Sequence, residues 1–135
     1  MDTLAHRTLK RFGKAVAALA RALELGRLPD NADHDAVLLR FELAAELMPK
    51  TLQRILSEQG VAPSLPKDIV RIACAAKIVD DASALTLLEI INDRNRMVHD
   101  YSEEYALDLM GRVRNAYAPI LNILSQKLKE FDEKK

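Results

Sequence analysis

The sequence predicts an all-α protein, an up-and-down antiparallel four-helix bundle with one extra short helix. Three observations carry that expectation. Apolar residues recur at steps of three and four along most of the chain, the period of a helix that buries one stripe. No segment alternates apolar and polar residues as a half-buried strand does. Only 4 Gly and 5 Pro stand among 135 residues, against many Ala, Leu, Glu, Lys and Arg. That balance favours helices and leaves little turn material for a sheet sandwich.

Leu9, Phe12, Val16, Leu19 and Leu23 define a first helix from about Leu4 to Leu25, with Arg7, Lys10, Arg11, Lys14 and Arg21 outside. Gly26 and Pro29 stop it. A second helix begins after Asn31 or Asp33, both good caps, and runs to Gly60 on Leu38, Phe41, Ala45, Met48, Leu52, Ile55 and Leu56. Pro49 falls inside that pattern and reads as a kink in one long helix, a break into two being the alternative. Ser64-Leu65-Pro66 opens a short third helix that turns Ile69, Val70, Ile72 and Ala73 inward. Asp80 or Asp81 caps a fourth, carrying Leu85, Leu87, Leu88, Ile90 and Ile91. Ser102, Glu103 and Glu104 open a fifth, acids sitting well at the positive end of a helix dipole. Met110, Val113, Tyr117, Leu121, Leu124, Leu128 and Phe131 form its buried face, Pro119 bends it, and residues from about 130 to 135 should fray. Short connections imply antiparallel neighbours. A single domain over residues 1–135 is the expected organisation.

Composition excludes several classes of function. Lys plus Arg equal Asp plus Glu at 20 each, so no global field draws phosphate and a generic electrostatic nucleic-acid binder is disfavoured. The lone Cys74 rules out an intrachain disulfide and a multi-cysteine zinc site, suits a reducing cytosol and reads as a small buried apolar residue. The N-terminus lacks a signal-peptide core, and no apolar run approaches the ~20 residues of a spanning helix, so a cytoplasmic protein with no membrane partner is expected. Of three His, His6 and His34 read as inert surface residues, and none lies in a Glu-x-x-His or HExxH spacing. Neither a metal nor a cofactor is expected.

One stretch remains. Arg94 to Tyr101, R-N-R-M-V-H-D-Y, packs two Arg, a His, an Asp and a Tyr into eight positions where an apolar helix turns abruptly polar. Arg94 and His99 are five apart, about 140° around a regular helix, so they share no face unless the helix end loosens. That points to a site at a helix terminus, completed by a second subunit. A solvated helix end explains the same residues equally well, with Asp93 and Arg96 paired at i, i+3 and His99 beside the negative dipole end.

Two segments resemble a known family. Arg40-Phe41-Glu42, Glu46-Leu47 and Lys50-Thr51-Leu52 on the second helix, with Arg94-x4-His99-x-Tyr101 and Asn95 after the Arg, resemble the HEPN superfamily. Within it the chain is similar to the HepT-like proteins, also called nucleotidyltransferase substrate-binding proteins, over nearly its whole length. Pro49 departs from the usual large aromatic. The resemblance implies a homodimer whose Arg-x4-His motifs meet in a cleft between subunits, acting as a metal-independent ribonuclease. It also implies a type VII toxin–antitoxin pair, in which an MntA-like nucleotidyltransferase antitoxin transfers AMP from ATP to the Tyr and silences the toxin. Carried over residue by residue, Arg94 and His99 would be catalytic, Asn95 supporting, and Tyr101 the modified residue.

The chemistry of those residues agrees. RNA cleavage without metal needs a proton acceptor for the 2′-hydroxyl and a cation for the charge on phosphorus oxygens. An imidazole with a reference pKa of ~6.5 supplies the first and a permanent guanidinium the second. AMP on Tyr101 would block RNA by bulk and by like charge. Tyr105 and Tyr117 read as amphipathic members of a packed stripe. Glu42 and Glu46, one turn apart, read as structural carboxylates that hold Arg40, Arg94 or Arg96. Against the nuclease stand a non-catalytic substrate-binding subunit of a two-component nucleotidyltransferase and an inert helical dimer.

Overall fold

The computed structural model describes residues 2–100 and 102–134. Its helices are α1 (Leu4–Leu23), α2 (Ala32–Glu58), α3 (Pro66–Ala75), α4 (Asp81–Met97), α5 (Glu103–Arg112) and α6 (Ala118–Glu133). A short 3-10 turn, Pro29–Asn31, precedes α2, and a π-helical turn, Val113–Tyr117, joins α5 to α6. The fifth helix of the sequence reading is therefore one unbroken rod of α5, π turn and α6. No strand occurs among the described residues.

The central element is α2, which packs most extensively against α1 and also touches α3, α4, α5 and α6. Polar ties fix the directions. Arg54 late in α2 donates to the Thr8 hydroxyl early in α1 (2.6 Å), so these two run antiparallel. The His6 and Asp132 side chains meet at 2.6 Å while Arg114 reaches the Leu23 carbonyl (3.4 Å), so α1 also opposes the α5–α6 rod. Phe12, Phe41, Met48, Leu52, Leu87, Ile90, Leu121 and Leu128 are completely buried between the helices. Truncating one such Phe to Ala removes about 3–5 kcal/mol, a large share of a marginal total.

Local chemistry explains the ends. The side chains of Thr3, Asp80 and Ser102 each accept the backbone N–H three residues on, capping α1, α4 and α5. Asn31 holds the cap position of α2 without a side-chain cap, and instead the Asp33 carboxylate accepts the Leu28 N–H (3.1 Å). That bond lowers the Asp33 pKa. Gly60, at φ +83°, closes α2, with Val61 N–H bonded to Leu56 O and Gly60 N–H to Ser57 O. Lys77 repeats the same geometry after α3 at φ +63°, a conformation a side chain adopts only at a cost.

Several expectations need correction. Helix α1 ends at Leu23 and Glu24, before Gly26, and α3 starts at Pro66 without a cap from Ser64. Helix α2, by contrast, is the one long helix expected, running through the buried Pro49 without a break into two. Leu85 is 65% exposed and Phe131 36%, outside the core. Cys74 is only partly buried and its thiol donates to Asp81 (3.1 Å). His6 is no idle surface group, being tied to Asp132, and His34 contacts Arg27 and Asp33. Helical structure reaches Glu133, in the stretch where fraying is expected.

Pro119 is accommodated rather than bending the rod alone. Its missing N–H deprives the carbonyl four residues back of a donor. In the turn just before it, Ala118 N–H bonds to Val113 O, five residues back, the signature of a π turn.

Candidate functional site

The apolar stripe of α4 ends in a carboxylate. Asp93 lies three residues after the fully buried Ile90, so it points to the same interior, and it is itself buried. Four donor contacts meet it. Arg112 forks onto both oxygens (Nε to Oδ2 2.9 Å, Nη2 to Oδ1 2.8 Å). The hydroxyls of Tyr105 and Tyr117 donate at 2.8 and 2.5 Å. Burial pushes the Asp93 pKa up, but the bonds from Arg112, Tyr117 and Tyr105 outweigh it and hold the group below its ordinary value. Burial first, and the neighbouring anion second, raise the pKa of both tyrosines. The Asp93 bonds raise that of Arg112.

The π turn makes this convergence possible. Arg112 and Tyr117 are five residues apart and would diverge on a regular α-helix. A turn closed over five residues brings both onto one carboxylate, while the Tyr117 ring stacks on Phe41 (centroids 5.5 Å apart).

Beyond Asp93, Arg96 does not pair with it as the i, i+3 spacing suggests. It faces outward and binds Asp100 Oδ2 twice, at 3.2 and 3.0 Å. Asp100 Oδ1 accepts the Ser102 N–H and hydroxyl (3.0 and 2.8 Å). Those Ser102 bonds, then Arg96, keep the Asp100 pKa low.

Arg94 is different. It follows Ile91 by three residues, and both line a cavity of about 290 Å³ between α2, the start of α3 and α4. Asn95, Glu46, Pro49, Lys50 and Gln53 share that wall. The Arg94 Nε is buried and has no hydrogen-bond partner among the described residues. No carboxylate pairs with it among the described residues: Glu46 on the same wall is bonded to Lys50, and the sequence neighbours Asp93 and Asp100 are engaged by other arginines.

His99 stands in the turn after α4, exposed, its N–H bonded to Arg96 O (2.9 Å), and it does not line the Arg94 cavity. One chain thus brings Arg94 and Asn95 together but not His99. Tyr101 lies outside the described residues. Glu46 is bonded to Lys50 one turn on (3.4 Å), and Glu42 is partly buried without an ion pair among the described residues. The expected grip of Glu42 and Glu46 on Arg40, Arg94 or Arg96 is therefore absent, because nearer partners on their own helices take Glu46 and Arg96. Sequence reasoning missed Arg112 as the partner of Asp93, and saw Tyr105 and Tyr117 only as stripe residues. Among the described residues no group of three His, Cys, Asp or Glu is placed to hold a metal, and no helix is long and apolar enough to cross a membrane.

The family described as nucleotidyltransferase substrate binding protein like matches residues 7–130. A solved Thermus thermophilus protein is 29% identical, with a TM-score of 0.74 over 88% of this chain and 96% of that one. A tri-AMPylated Shewanella oneidensis HEPN toxin, solved in complex with its MNT antitoxin, superposes with a TM-score of 0.79 at 17% identity, over 96% and 99% of the two chains. A toxin–antitoxin structure with AMP-PNP gives 0.78 at 16%, over 96% and 98%. No curated protein matches the sequence. The chain belongs to the nucleotidyltransferase substrate-binding protein-like family and has the all-α HEPN fold.

Proposed function

We propose that the protein is the toxin of a toxin–antitoxin pair, a metal-independent endoribonuclease built by two copies of the chain and silenced by AMP addition at Tyr101. The observation that carries this reading is Arg94. Its guanidinium is partly buried at a cavity wall, its Nε lacks a partner among the described residues, and the acids near it, Glu46, Asp93 and Asp100, are bonded to Lys50, Arg112 and Arg96. A partly buried guanidinium that no carboxylate grips, Glu46 across the cavity being bonded to Lys50, is suited to an external anion, and phosphate oxygens fit its planar fork.

In this reading His99 removes the proton of a ribose 2′-hydroxyl. The 2′-oxygen then bonds to phosphorus, the P–O5′ bond breaks, and the departing oxygen takes up a proton. Arg94 balances charge on the non-bridging oxygens, with Asn95 supporting. Since His99 lies outside the Arg94 cavity of its own chain, the pair is completed across a homodimer. In the silencing step the Tyr101 oxygen bonds to the α-phosphorus of ATP, pyrophosphate leaves, and a nucleotidyltransferase partner binds the ATP. The Shewanella relative, AMPylated and bound to an antitoxin, supports that partner.

The test is expression and purification beside His99→Ala and Arg94→Ala. Wild type should arrest growth, sediment as a dimer and cut RNA in chelator, and both variants should do none of the cutting while staying folded. A monomeric or RNA-inert wild type refutes the reading. The second reading, a non-catalytic subunit that presents substrate to a nucleotidyltransferase, is favoured by the family's own description. It predicts harmless expression together with a stable complex.

A further inference from the structure

His99 sits in a five-residue connection, 98–102, between α4 and α5. A chain that short is held by its ends, and both ends run to one aromatic ring. The Arg96 guanidinium lies over Tyr105, 4.2 Å from the ring centroid. Its edge binds Asp100, and Asp100 binds Ser102. The Ser102 hydroxyl accepts the N–H of Tyr105 (3.2 Å), which closes the circuit. The Tyr105 hydroxyl is itself anchored on the Asp93 carboxylate and carbonyl (2.8 and 3.1 Å). The Arg96 carbonyl adds two bonds, to the N–H groups of His99 and Asp100 (both 2.9 Å).

We propose that Arg96 and Asp100 are positioning residues, a brace that holds the His99 segment against Tyr105 in the place from which His99 acts. This rests on the reading of His99 as the proton acceptor. Arg96 is not offered to substrate in the way Arg94 is. A ring covers its face, a carboxylate takes its edge, and its charge is neutralised within the chain. Nor is it needed for folding, since its side chain is 60% exposed and an exposed ion pair adds little stability. What it restricts is the freedom of a connection, and small displacements of a catalytic group cost rate far more than they cost stability.

The experiment uses the full chain with Arg96→Leu and Arg96→Lys. Amide hydrogen exchange at His99, Asp100 and Ser102 is read by NMR, beside kcat and KM for RNA cleavage and the melting temperature. Arg96→Leu should speed exchange at those amides and lower kcat by about tenfold or more, with KM within about twofold and melting unchanged. Arg96→Lys should remain impaired in kcat, because an ammonium restores charge but not the planar stack or the two-bond contact. Unchanged exchange and kcat in both variants overturn the brace. So does a raised KM with intact kcat and a weaker salt dependence, which would make Arg96 a direct phosphate contact. If wild type cuts no RNA, the nuclease reading fails by itself, and the exchange rates still decide whether the brace exists.

Discussion

Replacing Asp93 by Asn keeps volume and shape but exchanges one acceptor oxygen for an NH2 donor. Arg112, Tyr105 and Tyr117 all present donors to that carboxylate. The amide can serve only part of them, so a buried tyrosine hydroxyl and an Arg112 N–H lose their acceptor. A stranded buried donor costs about 1–3 kcal/mol. The Arg112 side chain is 37% exposed, so its unpaired charge rehydrates and adds only about 1 kcal/mol. The expected loss is about 3 kcal/mol, close to the lower end for breaking a buried pair, or about 9 °C in melting temperature for a chain of this size. Urea unfolding followed by circular dichroism at pH 7 and one fixed protein concentration measures it. The triple change Asp93→Leu, Arg112→Met and Tyr117→Phe, which removes both charges and the hydroxyl they would leave stranded while Tyr105 keeps the Asp93 carbonyl, should recover much of the deficit. The pH dependence carries a sign. The Asp93 pKa is lower folded than the ~3.9 of an unfolded Asp, so its contribution is complete above about pH 5 and fades as pH falls through the folded value. The gap between wild type and Asp93→Asn should narrow below about pH 4. A loss under about 1 kcal/mol at pH 7, or a gap that widens in acid, would refute the reasoning.

Other measurements check other parts of the fold. Tyr117→Phe keeps the stack on Phe41 and removes one hydroxyl, so a loss of about 1 kcal/mol is expected in the same urea assay. Lys77→Gly relieves the left-handed backbone after α3 and should raise stability by about 1 kcal/mol, and a decrease would contradict the cap geometry. The hydrogen bond from Cys74 to Asp81 raises the thiol pKa, so alkylation at about pH 8 should be slow in wild type and faster in Asp81→Asn. His6→Ala should cost about 0.5–1 kcal/mol and speed amide exchange at the end of α6, where Asp132 meets it.

Periodicity carried the fold. Leu9 to Leu19, Phe41 to Leu56 and Val113 to Leu128 announce buried stripes because a helix repeats its environment every three or four residues, and those stripes are where the helices meet. Failures gather where a contact crosses between helices or where a pattern outruns its cover. Asp93 looked ready for Arg96 by spacing, yet Arg112, nineteen residues on, takes it, and only packing of α4 against the rod brings the two together. Leu85 and Phe131 continue apolar patterns past the point where another helix covers them. Arg94 and His99 were legible as a motif in sequence, but His99 stands in the turn beyond the last residue of α4, where helical spacing no longer fixes its direction. The cavity that sets Arg94 beside Lys50 and Gln53 was not legible, because it arises between α2, α3 and α4 rather than within any one of them.

The widened turn at Val113–Tyr117 makes one stretch of this chain unusually forgiving of a change in length. It takes up a surplus residue by bulging, so α5 and α6 stay in phase on either side of it. A copy shorter by one position there could close the loop as ordinary α-helix and still turn Leu121, Leu124 and Leu128 toward α1 and α2. The same one-residue gap placed inside α6 would rotate everything after it by about 100° and carry part of that stripe into water. Straightening the bulge without shortening the chain would do comparable damage, because the spare residue would have to be wound into the helix. Insertions and gaps among related chains should therefore collect at this joint and be rare in the sixteen residues that follow it.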